Sequence, residues 1–241
     1  MTKKIKIITT DDGSHSLYVP DLKETYHSTH GAWQESQHVF IKHGLDFILQ
    51  NKALKKLNIL EIGFGTGLNA ILTLQSALDS KIQIEYHTLE PFPLDLELIN
   101  QLNYGEFIKE EALIEAFYKM HESEWQAVIP ITENFSIVKH QTKLEDFKTN
   151  VKFDLVYYDA FAPSKQAELW TLEMIQKVSD MMSEGGVLVT YCAKGQFKRD
   201  LRAVGLEVET LPGPPGKKEM VRGVFQSSVD SQQFSDLSKT V

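Results

Sequence analysis

The feature that most constrains this chain is an apolar run at residues 57–62 that opens onto three alternating glycines, Gly63, Gly65 and Gly67. A second apolar run, 68–78, follows directly. A mostly apolar segment of six residues suits a buried strand and one of eleven a helix, so the spacing predicts a strand, a glycine loop and a helix in immediate succession. Glycines at alternate positions let the backbone turn tightly and come close to a ligand. The first turn of the helix then presents free amide groups and the positive end of its dipole. Such a unit belongs in an open parallel sheet wrapped by helices.

The remaining segments keep that rhythm. Residues 4–10 and 16–20 read as a hairpin turned at Asp11, Asp12 and Gly13, and 34–50 as a helix that breaks or kinks at Gly44. A strand at 82–89 ends at Glu90 and is stopped by Pro91 and Pro93, and 94–102 reads as its helix. The stretch 103–130 is too long for a plain connection and carries Phe107, Leu113, Ile114, Phe117 and Tyr118 at near-helical spacing, so one or two inserted helices are expected there. Strands follow at 135–139 and 153–158, then a helix at 169–182. A strand at 187–192 is entered through a Glu184-Gly185-Gly186 turn, a helix spans 194–204, and a closing antiparallel pair occupies 206–210 and 220–226. The expected organisation is an amino-terminal hairpin and lid over 1–50, the sheet domain over 51–226 and a frayed polar tail over 227–241.

Composition narrows the class. With 42% hydrophobic residues in 241, and no run of the roughly 18 apolar residues that a membrane helix needs, a globular, cytoplasmic protein without a membrane anchor is expected. The one cysteine, Cys192, has no partner for a disulfide, and the eight histidines show no metal-ligand spacing, so no metal is expected.

The loop chemistry points to a particular cofactor. A dinucleotide fingerprint wants glycine at its first, third and sixth places, but here the sixth is Leu68 and the extra glycine is Gly67. That spacing, with Glu61 just before the loop where a pyrophosphate would be repelled and a cationic amino group welcomed, favours S-adenosyl-L-methionine. Glu90, at the end of the next strand, suits ribose hydroxyls. Asp159 ends the strand 153–158, which in a doubly wound order neighbours the first strand, so it should lie beside the loop and orient and deprotonate an amine nucleophile. Phe161 and Pro163 would shape the pocket. The segment 24–38 could cover the cofactor with Tyr26 and Glu35 turned inward, or could be a surface loop and helix cap. The expected fold class is α/β: a Rossmann-like sheet of the class I methyltransferase type with helices on both faces, an amino-terminal β-hairpin extension and a helical insertion.

These blocks together resemble a known family. Glu24-Thr25-Tyr26-His27-Ser28, Glu35-Ser36, the run from Leu60 to Asn69 and Asp159-Ala160-Phe161-Ala162-Pro163 are similar to the methyltransferase domain of MnmC and its stand-alone form MnmD. So are Tyr191-Cys192-Ala193-Lys194-Gly195 and Pro212-Gly213-Pro214-Pro215-Gly216-Lys217-Lys218. The resemblance spans about 16–222. It implies N-methylation of 5-aminomethyl(-2-thio)uridine at wobble position 34 of tRNA, with contact to the anticodon stem-loop. The FAD oxidase domain of fused members would be absent, and a separate upstream enzyme would supply the amine. By matching positions it implies cofactor contacts from Glu61, Gly63, Gly65, Gly67, Asn69 and Glu90, with Asp159 at the catalytic centre. Where many relatives carry a Gly-Asp pair near the adenine, this chain has His140 and Gln141, leaving Gln141, Glu145 or Asp146 for that contact.

The formal charge of −8 argues against a uniformly basic RNA-binding surface. Between 194 and 222, however, seven basic residues face four acids, and Lys194, Lys198, Arg199, Lys217, Lys218 and Arg222 could track phosphates. Two other classes stay open: a small-molecule amine methyl- or aminopropyl-transferase, and a catalytically silent cofactor- or RNA-binding module.

Overall fold

The computed structural model describes residues 5–51, 54–78 and 80–226. The hairpin residue Lys4 and the expected tail 227–241 lie outside the described residues. Strands β1 (Lys6–Thr9), β2 (His15–Val19) and β3 (Glu24–Thr25) form a small antiparallel sheet. Thr10 and Asp12 tie its turn: the Thr10 hydroxyl and the Ser14 backbone N–H donate to Asp12 Oδ1 at 2.8 and 3.0 Å.

Helices α1 (Ala32–Ser36) and α2 (Asp46–Asn51) flank a nine-residue π-helical stretch (Gln37–Leu45), so the chain stays helical from 32 to 51. The expected break at Gly44 does not occur. Gly44 lies against the sheet, where a Cβ would come within 3.0 Å of Val189 and 3.2 Å of Tyr157, so its role is close approach rather than termination. Val39, Phe40, Ile41 and Leu45 are buried by the same packing.

The main sheet comprises β4 (Lys56–Ile62), β5 (Gln83–Leu89), β6 (Val128–Pro130), β7 (Phe135–His140), β8 (Phe153–Tyr158), β9 (Met182–Thr190), β10 (Leu206–Pro212) and β11 (Glu219–Phe225), ordered β10-β11-β9-β8-β4-β5-β7-β6. The five central strands are parallel, whereas β11, β10 and β6 add antiparallel edges. The parallel strands are covered on both faces and carry continuous apolar runs, as β8 does with every residue but Asp154 buried. β4 pairs with β8 in the expected neighbouring position, with Ile62 opposite Tyr158, so both strands end together. The pair Gly185-Gly186 lies inside β9 rather than before it, at the register shift beside Phe153. A Cβ on Gly186 would meet the Ser183 and Phe153 carbonyls at 2.8 and 3.1 Å.

Around the sheet run α3 (Leu68–Ala77), α4 (Leu96–Ile99), α5 (Tyr104–Phe107), α6 (Glu111–Glu122), α7 (Leu172–Asp180) and α8 (Gly195–Ala203). The insertion thus holds two helices, and α6 buries Leu113, Ala116, Phe117 and Met120, one helical stripe. The expected helix 169–182 divides into a 3-10 turn (Ala167–Trp170) and α7, because Thr171 adopts an extended conformation and caps Met174. Cores form on both faces of the sheet, and the one beneath the π-helical stretch continues into Leu17 and Ala32 of the amino-terminal segment.

Gly44→Leu should therefore overpack this face and destabilise the protein by about 1–3 kcal/mol. Urea unfolding would register this as a lower midpoint with an unchanged slope.

Candidate active site

A cavity of about 290 Å³ opens at the carboxyl ends of β4, β5, β7 and β8. Its floor is the glycine loop. Gly63, Gly65 and Gly67 all have positive φ, at 96, 51 and 73°, and Gly63 is pressed so closely on β8 that a Cβ would lie 2.9 Å from the Asp159 carbonyl. The ring of Tyr26 lies over Gly65, which a Cβ would bring to 3.0 Å, and meets Phe161 edge-on with centroids 5.1 Å apart. Tyr26 and Phe161 both line the cavity, so the amino-terminal segment covers the loop as one of the two sequence readings had it.

Asn69, on the first turn of α3, is the junction of the site. Its amide nitrogen donates to Glu61 Oε1 at 3.1 Å and to Asp159 Oδ2 at 2.8 Å, joining carboxylates from two neighbouring strands. Glu61 also accepts from the Thr88 hydroxyl at 2.9 Å and is fully buried. Burial first, and the nearby Asp159 second, push its carboxyl well above the usual range. Glu61 thus sits beneath the cavity rather than in its wall. The direct contact expected between Glu61 and an amino group is not offered by this geometry, in which Asn69 and Asp159 face the cavity instead.

Asp159 is pushed up to about 7, chiefly by desolvation and next by the negative charge of Glu35, against the stabilising bond from Asn69 and the cation of Lys217. A carboxyl poised near neutrality is suited to exchange protons with a substrate. Glu90 accepts the Gly65 N–H at 3.0 Å and the Phe92 N–H at 2.9 Å, one on each oxygen. Each oxygen retains a lone pair for hydroxyl donors, while burial raises its carboxyl as well.

The other expected residues distribute unevenly. Gln141 is exposed and outside the wall, which is formed after β7 by Thr142, Lys143, Leu144 and Glu145. Of the three candidates for the adenine contact, only Glu145 is placed at the cavity, paired with Lys143 at 3.2 Å. Glu35 is inward but not in the wall: it accepts the Ser28 N–H at 2.6 Å and pairs with the Lys217 ammonium. Among the basic residues, Lys194, Arg199 and Lys218 are exposed, and Lys198 pairs with Glu219 at 3.4 Å. Arg222 is 9% exposed, donates twice to Glu209 at 2.9 and 2.5 Å, and stacks on Phe47. It is bound inside the fold and unavailable as a phosphate contact in the way the sequence suggested.

Several wall residues escaped sequence reasoning. His27 lines the cavity, hydrogen-bonded to Ser16 at 3.1 Å, and burial holds its imidazole down at about 4, so it is neutral at physiological pH. Gln166 accepts the Phe161 N–H at 3.2 Å, while Trp170 and Tyr191 donate to the Phe161 and Ala160 carbonyls at 2.8 and 2.7 Å, fixing the loop after β8. Only the rule that ligands gather beyond the carboxyl ends of parallel strands would have flagged Thr142, Lys143 and Leu144.

The residues present fit a cationic nucleoside. Asn69 Oδ1 is buried without a partner and can accept an ammonium hydrogen, four carboxylates, Glu90, Glu145, Asp159 and Glu168, line the cavity, and Gly63 and Gly65 leave backbone without side chains at its floor. Among the described residues no three His, Cys, Asp or Glu side chains gather as a metal cage, and no helix is long and apolar enough to cross a membrane.

Comparison with known proteins agrees with this chemistry. Residues 109–226 match the family model of an S-adenosyl-L-methionine-dependent methyltransferase. The chain is 30% identical over 223 residues to the tRNA 5-methylaminomethyl-2-thiouridine biosynthesis bifunctional protein MnmC of Leptospira interrogans, covering 85% of this chain and 33% of that protein. It is 28% identical over 228 residues to the protein of the same name from Burkholderia multivorans, covering 89% and 34%. The chain therefore spans about a third of the length of these relatives. In fold it is similar to MNMC2 from Aquifex aeolicus, with a TM-score of 0.76 and 23% identity over 98% of this chain and 76% of that one. The spermidine synthase of Thermotoga maritima shares the fold more distantly, with a TM-score of 0.50 and 14% identity over 91% and 71%. By the matched segment and these relatives, the chain is recognised as a relative of the S-adenosyl-L-methionine-dependent methyltransferase portion of MnmC.

Proposed function

We propose that this protein methylates the 5-aminomethyl group of uridine or 2-thiouridine at position 34 of tRNA, yielding the 5-methylaminomethyl nucleoside. The observation that carries the reading is the Asp159 carboxylate, pushed up to about 7, lining the cavity beside the glycine loop where Asn69 holds it. S-adenosyl-L-methionine, when bound, supplies an electrophilic methyl group on a sulfonium. Gly63 and Gly65 would give it a backbone cradle, Asn69 Oδ1 would accept from its amino group, Glu90 from its ribose hydroxyls, and Glu145 would be the acid available to its adenine.

Asp159 performs the proton work. An alkylammonium, ordinarily protonated below about 10, has no lone pair to attack with, and the ionised Asp159 carboxylate hydrogen-bonds it and takes one proton. Phe161 and Tyr26, packed edge to face, offer an aromatic wall on which a pyrimidine can stack. Lys194 and Lys218, exposed beyond β9 and β11's entry loop, present charge to the anticodon stem-loop. A separate enzyme acting earlier supplies the amine. The likeness of MnmC relatives over most of this chain supports the tRNA substrate, whereas the spermidine synthase likeness is one of fold and leaves a free amine as the competing outcome.

Purified protein incubated with S-adenosyl-L-methionine and tRNA bearing 5-aminomethyluridine should yield 5-methylaminomethyluridine by nucleoside mass analysis. Turnover of a free polyamine with none of the tRNA would overturn the proposal. Asp159→Ala should lower kcat by about 100-fold or more while cofactor affinity, read by calorimetry, changes far less.

Asp159 also carries a stability signature. Its folded carboxyl holds a proton that the unfolded chain releases near 3.8, so the folded state binds more protons between about 4 and 7, and stability falls as pH rises through that window. Asp159→Asn should flatten that slope and raise the urea midpoint at pH 8, although the variant is inactive. An unchanged slope would show that Asp159 titrates normally.

A further inference from the structure

Two segments far apart in sequence close the site from one side. The turn between β10 and β11 is built by the Lys217 N–H donating to the Pro214 carbonyl at 2.9 Å and the Gly213 N–H to the Lys218 carbonyl at 3.1 Å. It presses on the amino-terminal segment at three points. Gly216, with φ of 80°, lies so close to the His30 ring that a Cβ would come to 1.9 Å, and His38 Nε2 is 2.8 Å from the Pro212 carbonyl. Between them Lys217 pairs with Glu35 and rests over the Tyr191 ring, 3.9 Å from its centroid. Glu35 is 6% exposed in its side chain and Lys217 30%, so the pair is shielded from bulk water.

We propose that Glu35 and Lys217 are a positioning pair: the clasp fastens the covering segment to the β10–β11 turn and, through Tyr191, whose ring lies under Lys217 and whose hydroxyl donates to the carbonyl of Ala160, sets the charges around the neighbouring Asp159 as it meets the amine. This deepens the methyl-transfer reading and rests on it for the amine, but the clasp's action on Asp159 is measurable without any substrate.

The charge environment of Asp159 gives the clasp its leverage. The groups facing it are Glu61 on β4, Tyr86 on β5, Asn69 on α3, Tyr191 after β9, and the clasp itself. Burial drives Glu61 toward its neutral form, Tyr86 and Tyr191 are held far above their ordinary range, and Asn69 is uncharged. Glu35 and Lys217 act on Asp159 in opposite senses, Glu35 against ionisation and Lys217 for it. A proton acceptor works best when its affinity matches the operating pH, and two opposed charges allow that match to be tuned from outside the cavity wall.

The test is a ¹³C-carboxyl NMR titration of the full chain, with Asp159→Asn identifying the resonance, alongside the pH profile of methyl transfer to 5-aminomethyluridine tRNA. Glu35→Gln retains an oxygen for the Ser28 N–H and should lower the Asp159 midpoint. Lys217→Met retains contact with the Tyr191 ring and should raise it, each by about 0.5 unit or more. The double variant should fall between them, and Lys217→Arg should keep the wild-type midpoint. The inflection of kcat should move with the midpoint in each variant. Midpoints that stay within about 0.2 unit in both single variants, or that move in the same direction, would overturn the clasp as a tuning device. Midpoints that move as expected in a protein that never methylates the tRNA would uphold the clasp and sink the substrate reading instead.

Discussion

One side-chain amide holds the functional end of this fold together. Asn69 stands at the start of α3 because the glycine loop ends there, and its two amide hydrogens join Glu61 of β4 to Asp159 beyond β8. The bridge is possible because β4 and β8 pair in parallel with ends level, and because Gly63, at the start of the loop between β4 and α3, carries no side chain to hold it off the Asp159 carbonyl. Two carboxyls near one another in a desolvated place repel, and each favours its proton. The amide moderates that repulsion without neutralising it, leaving Asp159 near neutrality and Glu61 well above its ordinary range.

The rest of the site is built outward from that junction. Thr88 on β5 satisfies the second oxygen of Glu61, and Glu90 two residues later clamps the loop through the Gly65 N–H. Trp170 and Tyr191 fix the segment after β8 by donating to its carbonyls, which keeps Phe161 against Tyr26. The bonds of Thr88, Glu90 and Tyr191 each join the carboxyl end of one parallel strand to that of another, where irregular backbone most needs partners.

The sheet and the glycine loop were legible because they follow from local rules: apolar runs of strand length, glycine at alternate places, and acids just past strand ends. Gly44 shows where such rules stop. Glycine in a helical pattern reads as a break, but here the missing side chain admits a neighbouring strand, a fact of packing that no local window contains. The same holds for Gly185-Gly186, absorbed into β9 as a register shift. Within the site, Asp159, Asn69 and the loop were readable from motif and position. Gln141 was misplaced because the cavity is lined one to four residues further on, past a turn whose path the sequence does not reveal. Arg222 was misread because charge counts cannot show that Glu209 lies opposite it on the adjoining strand.

The clasp between Glu35 and Lys217 also bears on how the molecule comes to be folded. Its two residues are separated by 182 positions, among the longest spans in the chain. At synthesis rates of about 5–20 residues per second, Glu35 waits roughly 10–40 s for its partner. Until then the covering segment rests on its own small sheet and on contacts such as Tyr26 with Phe161 and the Lys165 ammonium donating to the Leu22 carbonyl, without the clasp. The last hairpin is therefore what completes the site, and loop-closure entropy makes its docking a late event in folding.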